Sequence, residues 1–163
     1  MERLLPIAEK IAELLKARNE TVAIAESSAG GLISAALLAL PGASAYFIGG
    51  GVVYTRKALI AMVHAREEDV RAVTPGTEAA ALMRATRIRE HLGTTWGLSE
   101  SGAAGPSGSR YGYPAGHTAV AVSGPLERAR IVTTGSSDRI ENMYAFSAAA
   151  LELFADTLAS ASR

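Results

Sequence analysis

A chain of 163 residues has the size of one ordinary globular domain, and 48% hydrophobic against 20% charged residues gives it material for a real core. Sixteen Lys and Arg balance 16 Asp and Glu without a basic stripe, so nucleic acid is not an expected partner. Cys is absent, which excludes disulfides, Cys-based zinc sites and a thiol nucleophile.

Leu4, Leu5, Ile7, Ala8, Ile11, Ala12, Leu14 and Leu15 recur at three- and four-residue intervals and predict a helix over residues 2–18. Glu2, Arg3, Glu9, Lys10 and Glu13 interrupt it, so it reads as amphipathic and not as a secretory signal. TVAIAE (21–26) follows as a short strand covered on both faces. SSAGG then leads into a helix over 29–40, closed by Pro41-Gly42. No apolar run reaches bilayer length, so the expectation is a soluble, cytoplasmic protein that engages no membrane.

Residues 44–55 read as a strand broken by three glycines, and 56–63 as a weaker helical patch. Thr74-Pro75-Gly76 is a turn, and TEAAALMRATRIREHL (77–92) is a helix stopped by Gly93. A strand over 94–101 precedes a Gly-, Pro- and Ser-rich loop, 102–117. Residues 118–124 and 128–135 form a hairpin around Gly124-Pro125, and residues 138–161 read as a final helix with Asp138 near its N-terminus. This order predicts an α/β fold with three layers, α/β/α, around a mixed central sheet, with residues 1–163 forming a single domain. Arg84, Arg87, Arg89 and Glu90 read as a solvated helix face, and Trp96 as core. His64 and His91 stand alone, so no metal and no cofactor is expected.

Two segments are suited to chemistry. In Ala25-Glu26-Ser27-Ser28-Ala29-Gly30-Gly31 a buried strand turns into a helix, where unpaired backbone N–H groups and the positive helix end gather. A hydroxyl there can attack a carbonyl while the N–H groups of residues 28–31 hold the oxyanion; equally, Ser27 or Ser28 can be a plain N-cap. Ser101-Gly102-Ala103-Ala104-Gly105-Pro106-Ser107-Gly108 follows a strand and suits a backbone nest for an anion, or a plain connection. It has no P-loop spacing, so ATP chemistry is not supported.

Taken together, the segments resemble one family. TVAIAESSAGG looks like T-x-A-x-A-E-S-C-T-G-G, and PGASAYFIGGGVVYT like P-G-S-S-x-x-F-x-G-G-x-x-x-Y-S. SGAAGPSG looks like T-G-I-A-G-P-x-G, with Tyr113-Pro114-Ala115-Gly116 where the family has K-P-V-G. This is the C-terminal domain of the competence/damage-inducible protein CinA, and the resemblance runs from about residue 3 to 158. It implies a nicotinamide mononucleotide amidase of pyridine nucleotide salvage, here as a stand-alone domain without the N-terminal molybdopterin-binding-like domain of longer members. By position it makes Ser27 the nucleophile and Tyr54 its neighbour in the site. It places Glu26, Ser28, Gly30, Gly31, Gly102, Gly105, Pro106, Gly108, Gly116 and Arg139 around a nucleotide-like small molecule.

The departures are specific. The family's Lys base falls on Leu59, its K-P-V-G lysine on Tyr113, and an Arg beyond the matching Asp138-Arg139 pair on Met143. Ser27 cannot attack an amide at neutral pH without a proton acceptor, and Leu59 supplies none. Lys57 is offset by two residues, which points away on a helix, and His117 at the end of the Gly-rich loop is a second substitute. Three readings follow: an amidase of the family type, a non-catalytic relative that binds a nucleotide or another small ligand, and a serine hydrolase with a different base and substrate. Self-association into a homo-oligomer stays open.

Overall fold

The computed structural model describes residues 1–161. They form a five-stranded sheet of order β2-β1-β3-β4-β5 with six helices on its two faces, a single α/β/α domain with a mixed sheet as the residue pattern implies. The strands are β1 (Val22–Glu26), β2 (Phe47–Val52), β3 (Trp96–Ala103), β4 (His117–Ser123) and β5 (Arg128–Thr133). β1 runs parallel to both β2 and β3, whereas β3–β4 and β4–β5 are antiparallel.

Strand alternation sorts the side chains into two layers. Val22 and Ile24 of β1, Trp96 and Leu98 of β3, and Val120 and Val122 of β4 share a core with helices α1 (Leu5–Arg18), α2 (Leu32–Leu38) and α6 (Arg139–Ser160). Ala23 and Ala25 face the other way, toward α3 (Arg56–Val63) and α5 (Glu78–Leu92). Ala119 and Ala121 meet Ala81 and Ala85 of α5 on that same face. Gly97 of β3 sits so close beneath α5 that a Cβ there would overlap the Ala85 carbonyl. Small residues therefore set the helix–sheet distance on this face, and large ones fill the other.

Several boundaries differ from the expectations for local reasons. α2 starts at Leu32 and not at 29, because Gly30 and Gly31 adopt left-handed φ of +68° and +101°. The strand expected over 44–55 opens as a short 3-10 turn, Ala43–Ala45, before β2. β3 extends into the expected loop, since Gly102 and Ala103 pair with Thr118 and His117. The sixth helix, α4 (Glu67–Ala72), was not expected: it buries no residue, so it carries no apolar period to read. Asp138 caps α6, its carboxylate accepting from the Glu141 N–H at 3.0 Å. Trp96 is core as expected, buried against Phe154 and donating from Nε1 to Glu20 at 2.7 Å.

α4 is tied down by charge. Asp69 accepts from Arg66 Nη2 at 2.8 Å and from Arg87 Nη2 of α5 at 2.5 Å. The Arg66 hydrogen bond, with Arg87 beside it, holds the Asp69 carboxyl down at about 2. Its folded value lies below its ordinary 3.8, so the stabilisation is complete above about pH 4 and is lost as pH falls toward 2. Hydrogen exchange followed down that pH window is expected to show α4 opening before α5; simultaneous opening would contradict this role.

Candidate functional site

β1 connects to β2 on one side and β3 lies on the other, so a crevice opens beyond the carboxyl ends of β1 and β3. A cavity of about 790 Å³ occupies it, walled by the Ser27-Ser28 turn, the β2–α3 corner, α5 and the β3–β4 loop.

Two buried carboxylates build the turn after β1. Both are at positions that alternate onto the α1/α2/α6 face: Glu26 after Ile24, and Glu100 after Leu98. Glu26 accepts from the Gly31, Ile33 and Ser34 N–H groups at 2.9, 3.1 and 3.0 Å, and from Ser34 Oγ at 2.6 Å. It is thus the cap of α2 and is turned away from the cavity, not a wall residue. Burial pushes its carboxyl up, and these four donors oppose the shift.

Glu100 works on the other side of the turn. Its Oε2 accepts from the Ser27 N–H at 3.1 Å and the Ala29 N–H at 2.8 Å. Its Oε1 accepts from Ser28 Oγ and from Thr118 Oγ1, the latter at 2.9 Å. All four contacts are accepted by its two oxygens, so Glu100 is a clamp on the turn.

Ser27 is 6% exposed and lines the cavity, and its Oγ has no hydrogen-bond partner among the described residues. Of the N–H groups expected to hold an oxyanion, Ala29 is bound to Glu100, Gly30 donates to the Ser27 carbonyl at 3.1 Å, and Gly31 is bound to Glu26. Only the Ser28 N–H is unengaged in that stretch. The expected set of donors over residues 28–31 therefore reduces to one, because the turn uses the others to hold its own shape.

Tyr54, Gly102, Gly105, Pro106, Gly108 and Arg139 line the cavity together with Ser27 and Ser28. Gly30, Gly31 and Gly116 lie behind it. Gly30 holds a left-handed φ of +68°, which side chains rarely adopt, with Met143 Cε against its open side. Gly116 closes the base of the loop, its N–H donating to the Ala103 carbonyl at 2.8 Å. Arg139 Nη1 donates to the Gly105 carbonyl at 2.6 Å and Nη2 to the Tyr54 hydroxyl at 3.4 Å, so it ties the loop to the β2–α3 corner.

Leu59 is 2% exposed, packed with Ala23, Ala25 and Val63, and reaches the cavity wall. The segment around it is helical, yet Lys57 lines the cavity too, since the opening takes in the whole start of α3 from Thr55 onward. His117 lies on the wall, stacked on Tyr113 with ring centroids 4.1 Å apart. Its Nε2 is 2.8 Å from the Gly76 carbonyl, which only accepts, so Nε2 donates this hydrogen bond.

Two readings of the sequence are corrected here. Arg84 is not part of a solvated face: it is 8% exposed, lines the cavity, and donates from Nη1 to the Val53 carbonyl at 3.1 Å. Its position was visible in the spacing of Ala81, Arg84, Ala85 and Ile88, which puts it in the buried stripe of α5. His64 and His91 are not isolated, since their rings stack at 4.0 Å. No cluster of metal-ligating side chains occurs among the described residues, and none of their helices is long and apolar enough to cross a membrane.

A mixed sheet with a serine on the turn after its central parallel strand, under a Gly-rich loop, defines an α/β/α protein whose site lies at a strand-to-helix junction. The model of the CinA C-terminal domain matches residues 4–158, and the chain belongs to that family. It is similar to a CinA-like protein of Myxococcus xanthus, 39% identical over 82% of this chain and 32% of that protein. A CinA-like protein of Chloroherpeton thalassium is 38% identical over 94% of this chain and 38% of its own length. The chain thus spans about a third of the curated relatives it matches. Among solved structures, a competence-damaged protein (CinA) superfamily protein from Klebsiella pneumoniae aligns with TM-score 0.88 at 25% identity, over 96% of this chain and 98% of that one. The competence/damage inducible protein CihA from Agrobacterium tumefaciens aligns with TM-score 0.86 at 26% identity, over 94% of each chain.

Proposed function

We propose that this chain is a CinA-type amidohydrolase acting on nicotinamide mononucleotide, with Ser27 as nucleophile. The observation that carries this reading is a nearly buried serine hydroxyl, free of protein partners, on a carboxylate-clamped turn at the cavity wall. Ser27 Oγ attacks the carboxamide carbon as its proton passes to a base, and the Ser28 N–H is the donor available to the oxyanion. The C–N bond breaks, ammonia leaves with a proton, and water then splits the acyl ester to give nicotinate mononucleotide. Two candidate residues for that base, His117 and Lys57, line the same cavity. The reaction needs no metal or cofactor in this scheme.

A second reading, favoured by Leu59, is a relative that binds a nucleotide-like ligand without turning it over. The deciding experiment is a long incubation of purified protein with nicotinamide mononucleotide, quantifying ammonia and nicotinate mononucleotide beside a competent family member. Product above the blank supports the amidase; none supports the binding protein.

Leu59→Lys makes the comparison sharper. The apolar surroundings of Leu59 disfavour a charged amine, which lowers its pKa toward the range a general base needs. The variant is expected to lose about 1–3 kcal/mol of stability by burying a polar group and to gain at least about tenfold in ammonia release. An unchanged rate in a folded variant would show that an amine at this position does not assist Ser27.

A further inference from the structure

The walls of the cavity are one-sided in charge. Arg56, Lys57, Arg84, Arg110 and Arg139 line it and no Asp or Glu does, in a chain whose total charge is zero. Most of these cations are committed or solvated. Arg56 pairs with Glu67 at 2.6 Å and Arg139 holds the Gly105 carbonyl, while Lys57 and Arg110 are exposed.

Arg84 is the exception. It is more than nine-tenths buried, forms no ion pair among the described residues, and uses one N–H on the Val53 carbonyl. Its remaining N–H groups have no protein partner, yet are not sealed from solvent as Arg18 Nη1, Arg89 Nε and Arg130 Nε are. A guanidinium has five donors and stays charged in proteins, so leaving it buried and unpaired is costly. Burial pushes it below its usual range, with Glu100 and Tyr111 pulling it back. Glu100 cannot discharge that cost by contact, because its oxygens already accept from the Ser27–Ala29 turn and Thr118.

We propose that Arg84 is the oxyanion-binding residue of this cavity, pairing through its free N–H edge with a phosphate monoester or carboxylate of the ligand. Planar guanidinium donors match either group bidentately, which a lysine at the cavity mouth does not. The ligand thereby completes the ion pair that the protein lacks. This assignment concerns binding and does not rest on turnover, so it stands or falls separately from the amidase.

The test is calorimetric titration of ribose 5-phosphate and of nicotinate into the wild type, Arg84→Gln and Arg84→Lys. Gln keeps a donor for the Val53 carbonyl and removes the charge, whereas Lys keeps the charge. For the probe that binds, Arg84→Gln is expected to weaken affinity at least about a hundredfold and Arg84→Lys about tenfold, since Lys keeps the charge but gives up the bidentate pairing. A response to ribose 5-phosphate assigns a phosphate, and a response to nicotinate a carboxylate. Equal affinity in the wild type and Arg84→Gln, equal losses in both variants, or no binding of either probe would overturn the proposal. Should Arg84→Gln fail to fold, phenylglyoxal modification of the wild type decides. The bound probe should protect Arg84, and an unprotected Arg84 would overturn the proposal.

Discussion

Glu100→Gln is expected to cost about 1–3 kcal/mol of stability. Every group that meets Glu100 is a donor: the N–H groups of Ser27 and Ala29, and the hydroxyls of Ser28 and Thr118. A carboxylate presents two acceptors, but an amide presents one acceptor and an NH₂ group. With its amide oxygen on the Ser27 and Ala29 N–H groups, Gln turns its NH₂ toward the Ser28 and Thr118 hydroxyls, which must reverse from donating to accepting and lose their bonds to a charged acceptor. In a domain of this size a loss of this order lowers Tm by roughly 5 °C. Denaturant unfolding of the two proteins measures it, and a difference below about 1 kcal/mol would mean that the turn does not depend on this clamp.

Ser27→Ala is the counterpart in function. If the chain releases ammonia from nicotinamide mononucleotide, the variant is expected to lose at least about a thousandfold of that rate, because no other group forms the acyl bond. The fold should be untouched, since the side chain donates to nothing and the clamp acts on the Ser27 backbone. Binding of nicotinamide mononucleotide should stay within about twofold, as removing an unengaged hydroxyl takes away little ground-state contact. An alanine variant that turns over like the wild type would move the chemistry away from this serine.

The parts of the fold that the sequence announces are those whose cause is local. The junction at Glu26–Gly31 declares itself by a strand, small residues and a following apolar helix. The hairpin around Gly124-Pro125 and the start of the last helix near Asp138 are likewise written in adjacent residues. What escaped depends on distant partners. Glu100 meets donors more than 70 residues away on the Ser27 turn, so nothing near it announces a clamp. The expected oxyanion donors were read from the turn alone, and three of the four turned out to be held by carboxylates or by the turn itself. Arg84 was grouped with Arg87 and Arg89 by composition, although the alanine stripe beside it carried the opposite signal. That stripe is easy to pass over, since alanine is abundant on exposed and buried helix faces alike. α4 had only Val70 as an apolar anchor, packed on the core beneath α3 and α5, with Asp69 paired to Arg87 beside it.

The alanine and glycine lining beneath α5 has an evolutionary consequence. With Gly97 almost touching the Ala85 carbonyl, any added methyl on that strand must lift a helix that also carries Arg84 into the cavity. The opposite layer, filled by Trp96, Phe146, Phe154 and leucines, can exchange one large side chain for another at modest cost. Drift should therefore accumulate behind α1 and α6, while the layer under α5 stays nearly frozen. New ligand preferences would then have to arise by changing what the walls display, with the spacing of the walls held constant.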